Sequence, residues 1–334
     1  MELKGVKMAK YQRAADLKGA EGFYIPDSVT YITINEMVAC STLQHMVNQE
    51  WNPEKLGLDC APVAHYNILE PIDDMVFTRH QFNGERVGIP NPFRNGQIQM
   101  CHSYAIKEKF SRDEAIRQCR YWEEQRWGYE KAIAHMLRNM TESYGYRQIA
   151  ASAAEYNQGN DAGKLSGNLK LGDTVNPLVV SLPNSDNVSD FEVSALEVVS
   201  RMVLAASEAG VMCGSDQMRM AASPRFVAKL MNEQAAHVQG CCVEKNPAVS
   251  GVLLPAYGLN VLRSHFFPTK RLADGRTVEY VIMVDPNLIV APAVLDYLEW
   301  EKLLNDIYLI GNYRFDVSVL SGRGVVVAAV TFDK

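Results

Sequence analysis

Few residues in this sequence have the types and spacing that catalysis needs. The segment 159–167, Gly-Asn-Asp-Ala-Gly-Lys-Leu-Ser-Gly, is the nearest approach to a phosphate-binding loop. A Walker A loop has four residues between its glycines, and Ser or Thr directly after its lysine. Here three residues separate Gly159 from Gly163, and Leu165 follows Lys164. The pattern therefore predicts a surface loop, and no G-x-G-x-x-G, G-x-S-x-G or H-E-x-x-H motif occurs in the sequence.

The seven cysteines form no recognisable metal-binding or redox pattern. No C-x-x-C occurs, whereas structural zinc sites usually need paired ligand spacings. Cys101 and His102 are neighbours in the sequence, but adjacent side chains of a strand point to opposite faces and make a poor thiol–imidazole pair. We interpret His237 near Cys241, and the adjacent Cys241 and Cys242, as structural residues. We predict reduced cysteines, no cofactor, no metal and no catalytic residues.

Composition indicates a folded protein with a sizeable core. The chain has 334 residues, of which 47% are hydrophobic and 22% are charged, which is enough for one large domain or two or three smaller ones. The net charge of -6 argues against a surface that grips nucleic acid, but not against a wall that faces it. Without a signal-peptide core or an apolar run of about 18 residues, we expect a protein that is made and kept inside a cell, with no membrane contact.

The segment 51–106 is predicted to be a long β excursion. Asn83-Gly84 is a strong hairpin signal, and Asn95-Gly96 predicts a second turn. After that turn, apolar residues alternate with small or polar ones from 98 to 106, as on a half-buried strand.

Two helices are predicted on either side of this excursion. A Thr-Ile-Asn-Glu capping box opens a helix over about 34–49, and Ser-Arg-Asp-Glu opens a longer one over about 111–140. The apolar stripe of the longer helix is blurred by Trp122, Trp127 and Tyr129. These rings either pack in the core or contact a neighbouring copy, since aromatic residues are enriched at interfaces.

The second half of the chain contains a helix–strand–helix cassette. A short strand among loops is expected within 155–190, followed by a helix that stops at Gly210. The run Gln-Met-Arg-Met-Ala-Ala predicts a strand, and Ser223 with Pro224 opens a helix through about Glu233. Further strands are expected at 277–285 and, on both sides of a Ser-Gly-Arg-Gly turn, over 313–330.

The order of these parts resembles the major capsid protein of tailed bacteriophages, the Hong Kong 97 fold, in its podophage-like form. The cassette over 195–231 and the closing strands over 313–330 carry the resemblance, which extends over about 30–334. It implies an α+β fold with an N-terminal arm, an extended β-loop, a peripheral domain with a long spine helix, and an axial domain. The implied boundaries are 1–50 for the arm, 51–106 for the extended loop, 107–190 with 311–334 for the peripheral domain, and 191–310 for the axial domain.

The resemblance implies a protein that self-assembles into hexamers and pentamers of an icosahedral shell around packaged double-stranded DNA. The expected partners are further copies of the chain, a scaffolding protein, a portal and a possible cement protein, with DNA facing the inner wall without sequence-specific binding. We expect assembly in the host cytoplasm and a final location in the virion. The candidate inter-subunit contacts are Arg79, Asn83, Gly84, Arg86, Arg94, Trp122 and Trp127. For the arginines, the alternative is simple exposure to solvent.

One departure from the resemblance bears on stability. The namesake of the fold links its subunits covalently through a lysine of the extended loop and an asparagine elsewhere. No lysine lies between Lys55 and Lys107, so we expect a non-covalent shell. Because only the segment 1–30 precedes the predicted body, we expect scaffolding to be a separate protein. The alternatives are an encapsulin-type compartment shell and, with less support, an α+β enzyme with an unfamiliar cysteine or nucleotide site.

Overall fold

A computed structural model describes residues 41–48, 63–69, 93–111, 122–181, 190–211, 218–237, 259–272, 275–303 and 306–332. These residues fall into two compact units. The first unit takes the described residues within His102–Met140 and Ala293–Arg314. The second unit takes those within Thr42–Cys101, Thr141–Pro292 and Phe315–Lys334.

The described secondary structure mixes helices and strands throughout the chain. The helices are α1 Trp122–Ala151, α2 Ala195–Glu208 and α3 Pro224–His237, with 3₁₀ turns at Leu43–Met46, Glu155–Asn157, Pro286–Leu288 and Gly322–Gly324. The strands are β1 Val63–Leu69, β2 Phe93–Gln99, β3 His102–Ser111, β4 Leu178–Val180, β5 Glu192–Val193, β6 Arg219–Ala222, β7 Asn260–Arg263, β8 Thr269–Arg271, β9 Thr277–Val284, β10 Ile289–Val290, β11 Ala293–Leu303, β12 Asp306–Phe315, β13 Ser318–Val319 and β14 Val325–Thr331. Within the described ranges, none of the helices combines the length and apolar character that crossing a membrane requires.

The first unit is built on a three-stranded sheet in the order β11-β12-β3. Burial alternates along β12, as expected for a strand with one covered face. The N-terminal part of α1 covers that face. Phe110 contacts the ring of Tyr129 at 4.6 Å and that of Trp300 at 5.2 Å. The Trp300 indole N–H donates to the buried Glu130 carboxylate at 2.9 Å.

The second unit is built on a larger sheet in the order β5-β4-β14-β9-β6-β7, with β8 also paired to β9. Strand β14 lies in its interior, parallel to β4 and antiparallel to β9, and all of its residues are buried. A strand covered on both faces needs a continuous apolar run, which Val-Val-Val-Ala-Ala-Val supplies.

Separate clusters of apolar side chains cover the two faces of β14. Val326, Ala328 and Val330 lie in a core with residues of α2 and α3. Val325 and Val327 lie in another core, which includes the C-terminal part of α1 and the 3₁₀ turn Leu43–Met46.

The predicted end of the long helix is wrong, whereas its predicted start falls on residues 112–121, which lie outside the described residues. Ser111 is the last residue of β3, and in the described chain α1 begins at Trp122 and continues to Ala151. The helix continues past Met140 because Tyr146 and Ile149 are buried in the core of the second unit.

Two smaller predictions also need correction. Asn95 and Gly96 lie inside β2, opposite Asn67 and Tyr66, and do not form a turn. Pairing with β1 therefore overrides the local turn signal. The strand predicted for 98–106 is interrupted, since β2 ends at Gln99 and β3 begins at His102.

The helix predicted over 34–49 is described only from residue 41. That part forms the short 3₁₀ turn Leu43–Met46, so an α-helix there is wrong. The turn suffices to bury Leu43 and Met46 in the core of the second unit. The rest of the predicted helix lies outside the described residues.

The cassette is confirmed. Helix α2 ends before Gly210, whose φ of 69° suits glycine, and β6 covers most of the predicted strand. The Ser223 hydroxyl accepts the Phe226 N–H at 3.3 Å, and α3 begins at Pro224 and runs to His237. The predicted strand among loops is β4, and the closing strands are the end of β12, β13 and β14.

Candidate assembly surfaces

On one face of the three-stranded sheet, the outer strands carry charges of opposite sign, while Glu108 of β3 projects from the other face. On β3, Lys107 and Lys109 are exposed, and on β11, Glu299 and Glu301 are exposed. Lys109 Nζ lies 2.7 Å from a carboxylate oxygen of Asp306, and this hydrogen bond raises the pKa of the lysine.

A row of polar side chains crosses the same sheet on the face that α1 leaves uncovered. Ser103 Oγ donates to Asn312 Oδ1 at 3.3 Å, and Asn312 Nδ2 donates to Asp296 at 2.7 Å. Arg314 reaches the same Asp296 carboxylate at 2.6 Å. The row ties all three strands together and defines how they are aligned.

Asp316 fixes the chain just after β2. Strands β1 and β2 form an antiparallel pair from Val63 opposite Gln99 to Leu69 opposite Phe93. After this pair, the Cys101 N–H donates to Asp316 Oδ2 at 3.3 Å. The buried Asp316 carboxylate also accepts the Tyr144 hydroxyl at 3.1 Å and the Val317 N–H at 2.7 Å.

The chain around Thr42 is fixed in the second unit by a buried carboxylate on α1. Glu142 is 1% exposed and accepts the Thr42 N–H at 2.6 Å and the Thr42 hydroxyl at 3.0 Å. The Tyr146 hydroxyl lies 2.8 Å from the same threonine oxygen, and its ring stacks on Phe267 at 4.5 Å. Burial raises the pKa of Tyr146, which therefore remains protonated. These contacts fix Thr42 against the C-terminal part of α1.

An exposed loop of the second unit is held by Glu208 at the end of α2. The Glu208 carboxylate accepts the N–H groups of Leu165 and Ser166, and the Ser166 hydroxyl, each at 3.0 Å. The hydrogen bond from the Ser166 N–H is the largest cause of the lowered pKa of Glu208. Leu165 is 82% exposed at the tip of this loop. The segment that resembles a phosphate loop thus satisfies its amides with a carboxylate of its own chain.

The cysteine and histidine pair considered for catalysis is not arranged for it. Partial desolvation, followed by the Asp316 carboxylate, raises the pKa of the exposed Cys101 thiol, which opposes formation of a thiolate. His102 stacks on Tyr104 with 6.3 Å between ring centroids. Across the described ranges, no group of three or more His, Cys, Asp or Glu residues is placed to hold a metal ion.

The predicted contact residues are only partly described. Trp127 is 53% exposed, and Lys131 Nζ lies 4.0 Å from the centre of its ring. Trp122 begins α1 and Arg94 lies in β2 opposite Ile68, but their side chains are outside the description. Arg79, Asn83, Gly84 and Arg86 are outside the described residues altogether. Their role at an interface remains a prediction.

Sequence reasoning missed the carboxylates that fix these surfaces. Each holds backbone or hydroxyl donors from a distant segment, so its role has no local signature. The set comprises Glu142, Glu208, Glu233 and Asp316.

Comparison with known proteins identifies the architecture. No family model matches the chain, and no curated protein matches it. A chain in the capsid structure of Cyanophage P-SCSP1u is similar, with a TM-score of 0.53 and 12% identity over 81% of this chain and 83% of that one. A chain of the Satellite phage P4 procapsid structure, which includes the size determination protein Sid, gives 0.53 and 12% identity over 96% and 95%. A chain of Mycobacterium phage Che8 gives 0.52 and 11% over 86% and 90%.

The chain has a phage capsid fold. The α+β capsid architecture expected from the sequence is therefore confirmed. In this capsid fold, α1 is the predicted long helix, which ends later than the sequence indicated, and β1 with β2 forms the described part of the predicted β excursion.

Proposed function

We propose that this protein is a major capsid protein, whose copies assemble as hexamers and pentamers into an icosahedral shell around packaged double-stranded DNA. The observation that carries the proposal is a fold shared with capsid and procapsid chains over 81% to 96% of the sequence. The proposed location is the virion, after assembly in the host cytoplasm.

The described surfaces support an assembling protein. The first unit has oppositely charged outer strands, and the second has an antiparallel β pair fixed by Asp316. A net charge of -6 suits a wall that encloses DNA without binding it, because a basic wall would retain phosphates. The proposed partners are other copies of the chain, a scaffolding protein, a portal and a possible cement protein.

The predicted division of labour is part of this proposal. Residues 1–50 form the N-terminal arm, the extended loop 51–106 overlaps a neighbouring subunit, and the axial domain 191–310 meets its copies at the centre of each capsomer. The contacts proposed for the extended loop are Arg79, Arg86 and Arg94, with a turn at Asn83-Gly84. Trp122 and Trp127 are the proposed contacts on the long helix.

Negative-stain microscopy and sedimentation of the full chain, alone and with a co-expressed scaffolding candidate, test the proposal. We expect capsomers or closed particles, whereas a persistent monomer under both conditions would refute it. The contents of purified particles also distinguish the two kinds of shell, because a phage capsid contains DNA and an encapsulin-type compartment holds a protein cargo. After heating in detergent, a non-covalent shell gives a single band at 37.3 kDa, and a ladder of linked subunits would contradict the absence of cross-links.

A further inference from the structure

We propose that the β3 edge of one copy binds the β11 edge of the next, and that this repeated contact closes the capsomer ring. The inference rests on the proposed function and specifies which surfaces the copies use. Its starting point is a single sheet, in the order β11-β12-β3, whose outer strands differ in charge.

The lysine pair of β3 and the glutamate pair of β11 lie on the same face of the sheet, and Glu108, between the lysines, lies on the other. Lys109 pairs with Asp306 and Lys107 lies 5.4 Å from the ring centre of Tyr308, so both lysines project from the face that α1 leaves uncovered. On β11, Leu298 and Trp300 are buried toward α1. Since side chains alternate along a strand, Glu299 and Glu301 project from the same uncovered face as the lysines.

The spacing of the two charge pairs matches. Each pair is formed by residues two apart on a strand, which separates the side chains by about 6.6 Å. Ser103 with Asn312, and Lys109 with Asp306, show that β3 is antiparallel to β12. Strand β11 contacts Arg314 through Asp296 and ends close to the start of β12, so it is also antiparallel to β12. The outer strands therefore run in the same direction, and two lysines can face two glutamates in one register.

Each edge also offers an aromatic side chain. Tyr104 on β3 is 41% exposed and Tyr297 on β11 is 42% exposed. Tyrosine is enriched at protein interfaces because it buries a large apolar ring and keeps a polar tip. By the same alternation, Tyr104 lies on the face of Phe110 and Tyr297 on the face of Glu299, so each ring adds apolar area on its own face of the joined sheet. The opposite charges select the partner edge and set the register.

The occupant of each edge is another copy of this chain, because the complementary charge is on its own opposite edge. A contact between two different surfaces of identical subunits repeats head to tail, and it forms a ring when the rotation closes. Like edges repel, since two lysines would face two lysines or two glutamates would face two glutamates. The alternative is that these charges protect exposed strands from pairing at all, as lysines on edge strands commonly do.

Charge reversal distinguishes pairing of the two edges from protection of the edges against pairing. We would compare the full chain with Lys107→Glu/Lys109→Glu, with Glu299→Lys/Glu301→Lys, and with all four changes combined, by light scattering and sedimentation at low salt. Each double variant is expected to need about tenfold more protein to assemble, because it replaces attraction by repulsion. The combined variant restores complementarity and should return to within about threefold of the unaltered chain. The control for the lysine reversal is Lys270→Glu/Arg271→Glu on the exposed strand β8, which changes the net charge by the same amount as Lys107→Glu/Lys109→Glu.

Each remaining outcome has a distinct meaning. If the unaltered chain never associates, with or without a scaffolding partner, the proposed function fails and this inference fails with it. If the unaltered chain assembles and the reversed variants assemble equally well, only the pairing of edges is wrong. Enhanced association of both reversed variants, or no recovery in the combined variant, would likewise overturn the pairing. Added salt should weaken assembly of the unaltered chain, because about 0.1 M salt screens the attraction between charges more than about 10 Å apart. The protein concentrations needed for assembly of the unaltered chain and of the double variants should therefore become more similar.

Discussion

The carboxylate of Glu233, near the C-terminal end of α3, accepts the backbone N–H of Ala195, the first residue of α2, at 2.8 Å. Its second oxygen accepts the N–H of Leu196, also at 2.8 Å. The first N–H groups of a helix have no partner within the helix, and the helix dipole favours negative charge at this end. One buried side chain of α3 therefore completes the start of α2 and fixes the two helices of the cassette to each other.

Glu233→Gln should lower the free energy of unfolding by about 1–3 kcal/mol, because the amide replaces one acceptor with a donor that faces a backbone N–H. The measurement is the urea midpoint of the full chain. Glu155→Gln, on an exposed side chain, is the matched control and should change stability by less than about 0.5 kcal/mol. Equal losses in both variants would show that the cap contributes little.

Asp316→Asn should loosen the base of the β1–β2 pair. The buried carboxylate accepts from Cys101, Tyr144 and Val317, and an amide cannot accept all of these on equal terms. We expect faster hydrogen exchange at residues 96–101, corresponding to a local loss of about 1–3 kcal/mol. Asp306→Asn, at a partly exposed ion pair, should leave exchange at 96–101 unchanged. Unaltered exchange in the Asp316 variant would contradict the role assigned to this carboxylate.

Thr42→Ala should release the segment that follows it. Removing the hydroxyl leaves the buried Glu142 carboxylate and the Tyr146 hydroxyl with one fewer partner each. Exchange at residues 43–48 is expected to accelerate, with a cost of about 1–3 kcal/mol. Ser152→Ala, which removes an exposed hydroxyl bonded to the Gln148 carbonyl, is the control. If hydrogen exchange at residues 43–48 is equally slow in both variants, the Thr42 hydroxyl does not hold this segment in place.

The loop at Leu165 should respond to acid. The pKa of Glu208 is lowered in the folded chain, so its contribution to stability is present above the ordinary range of glutamate and is lost as pH falls through the lowered value. Glu208→Gln should therefore be less stable than the unaltered chain at neutral pH, with a difference that shrinks on acidification. Urea midpoints between about pH 3 and about pH 7 test this. Ser166→Ala, which removes one of the hydrogen bonds, should give a smaller difference, and a gap independent of pH would refute the assignment.

Local signals were sufficient for the cassette but not for the long helix. Gly210, Ser223 and Pro224 mark where elements stop and start, and each acts through backbone geometry within a few residues. Helix α1, in contrast, buries Glu130 and Glu142, whose partners Trp300 and Thr42 are far away in the sequence. A buried carboxylate such as Glu142 interrupts an apolar stripe, so periodicity alone did not carry the predicted helix on to Ala151.

The edges of the first unit were also beyond the reach of local patterns. In the sequence, Lys107 and Lys109 are indistinguishable from other lysines expected at the surface. Glu299 and Glu301 are likewise indistinguishable from other surface glutamates. Their opposition emerges only when β12 brings β3 and β11 into one sheet.

That sheet takes β3 from the first half of the chain and β11 and β12 from its last part. Because the N-terminal half is synthesised first, β3 cannot pair with β12 until synthesis is almost finished. A truncated translation product would therefore lack the β11 edge altogether. Under the proposed edge pairing, such a product cannot bind the β3 edge of another copy, so the order of the strands along the gene would favour incorporation of finished chains.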